Sequence, residues 1–454
     1  MRPPPTAPRL AFLSLVAPLW LVAARPASAQ EPTAEPLQEA WRQRPNVLIV
    51  VGDDLSERDI DRIDTPTFDS LVERGLRFRR AYSNPTCSLS RWSLHFGQYQ
   101  VSDAGPVCNG YAAETAPSTD QASLPRLFRG AGYRTALFGK WHLGSHPGVE
   151  DGEPWEITPT LHGYETWRAG IPINVASCGG MHYKQWLRVD DGHSAMSTEY
   201  TADAIRDAFL GWHAEMEDQS APWFAMVCFQ VPHAPFHIAP DVPAEVWKKG
   251  MSTRDHYESL VRYMDTKLGE LLAPVDLART QVIFMADNGT PPLAASKQQS
   301  KRKLKTTTFE GGIGVPLVWT GRGVPAGVQT QALTHLSDFL PTFADLLGVE
   351  LEPDGLDGVS LQPVLQDPQT SARDYVWTGL APRSDYAVIT RRYKLRRVPT
   401  GEQLIDLKVD RGENRNLMAN DFGRRHLADL IERLQEKLQR HLPSPSSPSS
   451  DGDG

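Results

Sequence analysis

Two kinds of apolar pattern alternate along this chain. Mainly apolar runs occur at Asn46–Val51, Trp223–Val231 and Gln281–Ala286, and Tyr133–Phe138 and Val315–Thr320 also read as strands. Runs of this length, apolar on both faces, predict strands buried in the middle of a sheet. Between them lie segments of helical period: Thr65–Gly75, Gln121–Gly130, Thr198–Asp218 and Leu336–Leu347, and a face made of Tyr257, Leu260, Val261, Met264, Leu268, Leu271 and Leu272. Strands alternating with helices predict an α/β fold, with a mostly parallel central sheet flanked by helices. Asp151–Ser194 is rich in Gly, Trp and His without clear period, and reads as a long loop region over the site.

The pattern changes after a Pro/Gly/Asp-rich stretch, Pro353–Asp367. Short strand-like runs follow at Tyr375–Leu380, Tyr386–Thr390 and Gln403–Leu407, then a helix with Leu427, Leu430, Ile431, Leu434 and Leu438 on one face. This predicts a small C-terminal α+β subdomain. The expected organisation is a leader over residues 1–29, a large domain over 30–365, the subdomain over 366–442 and a disordered tail over 443–454.

The leader has its own logic. Arg2 and Arg9 precede an apolar run, Leu10–Ala24, that closes on Ala27-Ser28-Ala29. That is the form of a secretory signal peptide cut before Gln30, and the run is short for a membrane span. It predicts export to the periplasm or the outside, with no stable membrane insertion. The whole chain carries a net charge of −8, and losing Arg2, Arg9 and Arg25 takes it to −11. An acidic chain without a basic face argues against nucleic-acid binding. Of four cysteines, Cys228 lies in an apolar run and reads as an inert buried thiol, whereas Cys108 and Cys178 lie in loop sequence and could pair.

Candidate chemistry gathers where the strands end. The first run ends in Asp53-Asp54, the second leads to Lys140 and His142, the third to His233 between two prolines, and the fourth to Asp287-Asn288. In a doubly wound sheet the carboxyl ends of parallel strands share one edge, and ligands bind there. Three Asp and one Asn are hard oxygen donors that suit Ca²⁺ or Mg²⁺ rather than zinc. Cys87 stands four positions before Arg91, at the start of a run that reads as a helix from near Ser90. A helix N-terminus favours negative charge, so an anion could rest against both residues. Alone, Cys87 could equally be a small buried hydrophobe or half of a disulfide. With Lys140, Lys305 and two histidines, the set describes a cation-rich pocket for a tetrahedral oxyanion.

These motifs in this order resemble the type I sulfatases of the alkaline phosphatase-like superfamily. The resemblance is carried by Arg44-Pro45-Asn46 with Asp53-Asp54, the Cys87–Arg91 pentapeptide, Gly139-Lys140-Trp141-His142-Leu143-Gly144, Pro232-His233, and Asp287-Asn288-Gly289 with Lys305 and Phe309-Glu310-Gly311-Gly312. It implies that a formylglycine-generating enzyme converts Cys87 to formylglycine, whose hydrate attacks the sulfur of a sulfate ester. It implies one bound Ca²⁺, with Mg²⁺ less suited, held by Asp53, Asp54, Asp287, Asn288 and the residue at Cys87. Arg91 and Lys140 would hold the hydrated aldehyde and its sulfate adduct, His142 would act as base, and His233 and Lys305 would bind the sulfate. The implied substrate is a sulfated glycan or aryl alcohol. Leu89 stands where the family's pentapeptide has Pro or Ala, and Gly314 where it often has arginine. Two other activities compete: a phosphodiesterase or phosphonate monoester hydrolase of the same fold, and a non-catalytic binder of sulfated glycans in which Cys87 stays a thiol. The basic run Lys297–Lys305 could form an anion-facing rim.

Overall fold

A computed structural model describes residues 36–100, 118–144, 155–177, 179–217, 219–243, 250–352 and 355–442. The leader, the tail, Cys108 and Cys178 lie outside these residues. The strands are β1 (Asn46–Gly52), β2 (Gly75–Phe78), β3 (Ala81–Tyr82), β4 (Arg134–Lys140), β5 (Thr166–Ile171), β6 (Trp186–Asp190), β7 (His193–Ser197), β8 (Trp223–Cys228), β9 (Thr280–Ala286), β10 (Leu317–Thr320), β11 (Val328–Thr330), β12 (Thr334–His335), β13 (Tyr375–Leu380), β14 (Asp385–Thr390), β15 (Tyr393–Val398) and β16 (Gly401–Asp406). The helices that frame them are α1 (Pro66–Arg74), α2 (Cys87–Phe96), α3 (Leu124–Gly130), α4 (Thr201–Glu217), α5 (Thr253–Leu272), α6 (Phe339–Leu347) and α7 (Ala428–Gln439).

Ten strands form the large sheet, in the order β11-β2-β10-β9-β1-β8-β4-β5-β6-β7. Its centre is parallel: β1 lies between β8 and β9, and β4 lies between β8 and β5. Val47 to Val51 on β1, and the apolar residues of β8 and β9, are almost wholly inaccessible to water. Such burial on both faces is the physical reason for their continuous apolar sequences. Register places the strand ends in one row, with Gly52 beside Ala286, and Val51 and Gly139 both beside Cys228.

The expected loop over 151–194 is not all loop. It contains β5 and β6, and β5 extends the sheet in parallel beside β4. The four strands β13–β16 form a separate antiparallel sheet against which α7 packs through Ile431, Leu434 and Leu438. Among the described residues no helix is long and apolar enough to cross a membrane.

Candidate active site

The pocket forms at the carboxyl edge of the central strands. Asp53 and Asp54 follow β1, Lys140 closes β4, and Asp287 and Asn288 follow β9. Two local distortions turn side chains inward. Asp54 has φ 74° and His142 has φ 61°, both in the left-handed region. Such backbones are costly for non-glycine residues and are held by their surroundings. Here the Tyr257 hydroxyl donates to the Asp54 carbonyl at 2.9 Å. Gly139, with φ 86°, sits at a register shift between β4 and β5 and brings Lys140 into the interior. Two residues beyond the end of β4 the backbone turns left-handed at His142.

Helix α2 begins at Cys87 itself, one turn earlier than the expected start near Ser90. Asn84 sets that start, donating from its side chain to the Leu89 carbonyl at 3.0 Å and to Ser93 Oγ at 2.8 Å. Cys87 Sγ then lies 3.4 Å from Asp53 Oδ1 and 3.8 Å from Asp54 Oδ1. Lys305 Nζ lies 3.1 Å from the same sulfur and 2.5 Å from Asp54 Oδ1.

Each acid of the pocket has a basic partner. Asp287 Oδ2 accepts from Arg91 Nε at 3.0 Å and Nη2 at 2.9 Å. Asp53 Oδ2 accepts from Lys140 Nζ at 2.6 Å. Asp54 accepts from Lys305, and His233 Nε2 stands 3.8 Å from its other oxygen. Protein groups alone therefore give three negative and three positive charges, a balance that lets five of the six stay buried and Lys305 nearly so. Burial pushes Asp54 upward, but Lys305 and His233 outweigh it and hold its carboxyl below the usual range. Burial, reinforced by Asp53, raises the Cys87 thiol well above its ordinary value. An unmodified Cys87 is thus a neutral thiol and a weak nucleophile. Burial, then Lys140 and Arg91, drives His142 well below its ordinary value, so it is neutral. Both ring nitrogens of His142 are buried without a protein partner.

A cation fits this donor set. Ligand atoms of Asp53, Asp54, Cys87 and His233 all lie within 4.8 Å of one another. Asn288 Oδ1 is buried without a partner, while its Nδ2 donates to Asp54 Oδ1 at 2.6 Å. Such an orphaned oxygen beside two carboxylates matches what a hard divalent ion takes up. Asp287 stands just outside this cluster. Its Oδ2 is taken by Arg91, and its Oδ1 accepts from the Asp54 amide at 3.3 Å.

All ten candidate residues converge here, and the structure adds two that the sequence reading missed. Asn174 Oδ1 accepts from Lys140 Nζ at 2.8 Å, and Gln230 Nε2 donates to Asp53 Oδ2 at 3.1 Å. Gln230 follows β8 three residues before His233, so the strand-end logic could have found it. Asn174 lies in the stretch without period and carried no signal. Within the basic run Lys301 and Arg302 are exposed, whereas Lys303 Nζ is spent on the carbonyls of Gly412 and Glu413 and on Asn414 Oδ1. A cavity of about 410 Å³ beside Arg44, Asn46, Trp223 and Arg279 lies at the opposite, amino end of these strands and is not this site.

The sheet, with its charged pocket at one edge, has the architecture of the alkaline phosphatase-like superfamily. A solved structure of BT4656 in complex with its substrate D-glucosamine-2-N,6-O-disulfate shares the fold, with a TM-score of 0.68 at 19% identity over 89% of this chain and 100% of that one. The family model Sulfatase matches residues 45–349, and the chain belongs to the sulfatase family. It is 28% identical to N-acetylgalactosamine-6-sulfatase of Sus scrofa over 71% of this chain, and spans 66% of that relative's length. It is 26% identical to a sulfatase of Formosa agariphila over 90% of both chains.

Proposed function

We propose that this chain is a sulfuric ester hydrolase acting on a sulfate ester of a carbohydrate, with Cys87 matured to formylglycine and one calcium ion held by Asp53, Asp54, Asp287, Asn288 and the residue at position 87. The observation that carries this reading is the burial of Cys87 between two carboxylates and Lys305. When bound, calcium offsets charge on the ester oxygens, and the hydrated aldehyde supplies the attacking hydroxyl. The pocket's own charges cancel, so a divalent ion would leave it positive and suited to an anionic ester.

The chain's residues divide the remaining work. Arg91 and Lys140, held by Asp287 and by Asp53 with Asn174, fix the group at position 87 and screen its charge. Lys305 and His233 stand on the Asp54 side, where they bind the sulfate and ease departure of the ester oxygen. Neutral His142 has a free ring nitrogen with which to accept a proton from the group at position 87. We propose residues 30–365 as the catalytic domain, 366–442 as its C-terminal subdomain, and export directed by residues 1–29. The carbohydrate substrate is supported by the similarity to N-acetylgalactosamine-6-sulfatase.

The test is turnover of N-acetylgalactosamine 6-sulfate, p-nitrophenyl sulfate and an aryl phosphonate monoester, with protein co-expressed with a formylglycine-generating enzyme. Hydrolysis of a sulfate ester in preference to the phosphonate supports the reading. Preference for the phosphonate would replace it with the phosphonate hydrolase. No turnover, with binding of the sulfated sugar by an intact Cys87 thiol, would replace it with the glycan binder.

A further inference from the structure

Lys305 reaches the pocket from a segment anchored on a different sheet. Its own amide donates to the Thr290 carbonyl at 2.9 Å, and Thr306, with φ 71°, donates to the Pro85 carbonyl at 2.9 Å. Three residues past Lys305, Thr308 packs against the C-terminal sheet and is wholly buried. Its amide donates to Asp385 Oδ2 at 3.1 Å and its hydroxyl to Asp385 Oδ1 at 2.5 Å. Arg396 grips the same carboxylate with Nη2 at 3.0 and 2.9 Å, and donates from Nε to the Thr308 hydroxyl at 2.8 Å. Its guanidinium stacks 3.5 Å from the centre of the Phe309 ring. Lys394 Nζ donates to the Thr308 carbonyl at 3.0 Å and to Glu413 Oε1 at 2.8 Å.

These charged side chains are a costly way to join two sheets. Asp385, Lys394, Arg396 and Glu413 are all buried, although none belongs to the pocket. Well-packed apolar residues often stabilise such a junction as well or better, whereas a satisfied polar network fixes one geometry. What is fixed here is the backbone of Thr308. The short link back to Lys305 converts that into the placement of one ammonium group between Asp54 and Cys87.

We propose that Asp385, Arg396 and Lys394 of the C-terminal sheet are positioning residues for Lys305, acting through Thr308, so that this sheet is part of the catalytic apparatus. The proposal rests on the role given to Lys305 above. Small errors of placement are costly in a site of this kind, since misalignment by about 1 Å can lower rate about 10²-fold.

The probe is Thr308→Val, which removes the hydroxyl and leaves the Asp385–Arg396 pair in place. Thr308→Ser keeps the hydroxyl and is the conservative control. Thr308→Val is expected to lower kcat/KM for a sulfate ester about 10-fold or more, and Thr308→Ser less than about 3-fold, with unfolding midpoints close to wild type. In a Lys305→Ala background, Thr308→Val should cost less than about 2-fold more, because both changes remove one function. Equal losses in both backgrounds, or no loss in either, would overturn the proposal. A readout independent of turnover is reductive methylation mapped by peptide mass. Lys305, 13% exposed and ion-paired, should label slowly in wild type and faster in Thr308→Val. Unchanged labelling would also overturn it. If the variant labels faster while wild type turns over no sulfate ester, the sulfatase reading fails and the positioning survives.

Discussion

Replacing Arg91 by methionine should unmask the charge balance of the pocket. Arg91 is buried and gives two hydrogen bonds to Asp287 and one to the Lys140 carbonyl at 2.8 Å. At the observed 2.9 Å, and with an effective dielectric constant of about 20, the attraction is of order 6 kcal/mol, part of which is offset by desolvation. Methionine fills much of the volume but leaves Asp287 buried beside two other carboxylates. The expected cost to folding stability is about 3–5 kcal/mol in chelator, the usual penalty for breaking a buried pair from one side. Calcium should shrink it, because the freed carboxylate gains a divalent partner. Urea unfolding of wild type and Arg91→Met, each with EDTA and with calcium, reads both effects. The exposed pair Arg134–Glu165, at 3.0 Å, gives the scale for a surface control: Arg134→Met should cost about 0–1 kcal/mol. A penalty for Arg91→Met no larger than that control, or one indifferent to calcium, would refute the reasoning.

Other expectations concern backbone, acid stability and metal support. A Cβ at Gly139 would lie 2.1 Å from the Cys228 carbonyl oxygen at φ 86°, so Gly139→Ala should lose soluble folded protein. Gly211, inside α4 with open space around it, should accept alanine with a gain of about 0.5–1 kcal/mol, read by the same denaturation assay. Burial lowers His95 to about 3, and burial with Arg126 lowers His162 to about 4. Their folded values lie below the unfolded one, so the stability they contribute is present above about pH 6.5 and is lost as pH falls through their folded values. At pH 5 each should have cost about 2 kcal/mol, and His162→Phe should flatten the fall of unfolding midpoint between pH 7 and 5; an unaltered slope would count against it. Gln230→Ala, which removes one of the two donors to Asp53 Oδ2 and leaves Lys140, should weaken calcium binding about 10–100-fold by calorimetry, and an unchanged affinity would remove Gln230 from the metal's support.

The centre of this molecule was legible because burial on both faces leaves no room for polar residues. β1, β8 and β9 are therefore apolar along most of their length, and the chemistry stands just after them. Peripheral strands carry no such mark. β7 is exposed along nearly its whole length, and β5 has water on part of its surface, so neither shows a period. β15 hid for the opposite reason: Lys394 and Arg396 point inward, and a charged interior inverts the usual pattern. The start of α2 was misplaced because no side chain caps it from Thr86, and the contacts that set it come from Asn84, outside the helix. Cys87 was legible beside a helix start, Lys140 at a strand end and Lys305 in a basic run; the resemblance supplied their roles, and their pairing with specific carboxylates needed coordinates.

The central claim is that the group at position 87, matured and supported by calcium, releases sulfate from a sugar. The most direct measurement is sulfate release from N-acetylgalactosamine 6-sulfate by protein matured in the presence of a formylglycine-generating enzyme, set beside Cys87→Ala prepared identically. The account predicts turnover by the wild-type chain, with the peptide Ala81–Arg91 carrying an aldehyde in place of the thiol, and none by the variant. Equal release by both, or no release by a chain whose peptide carries the aldehyde, would contradict it.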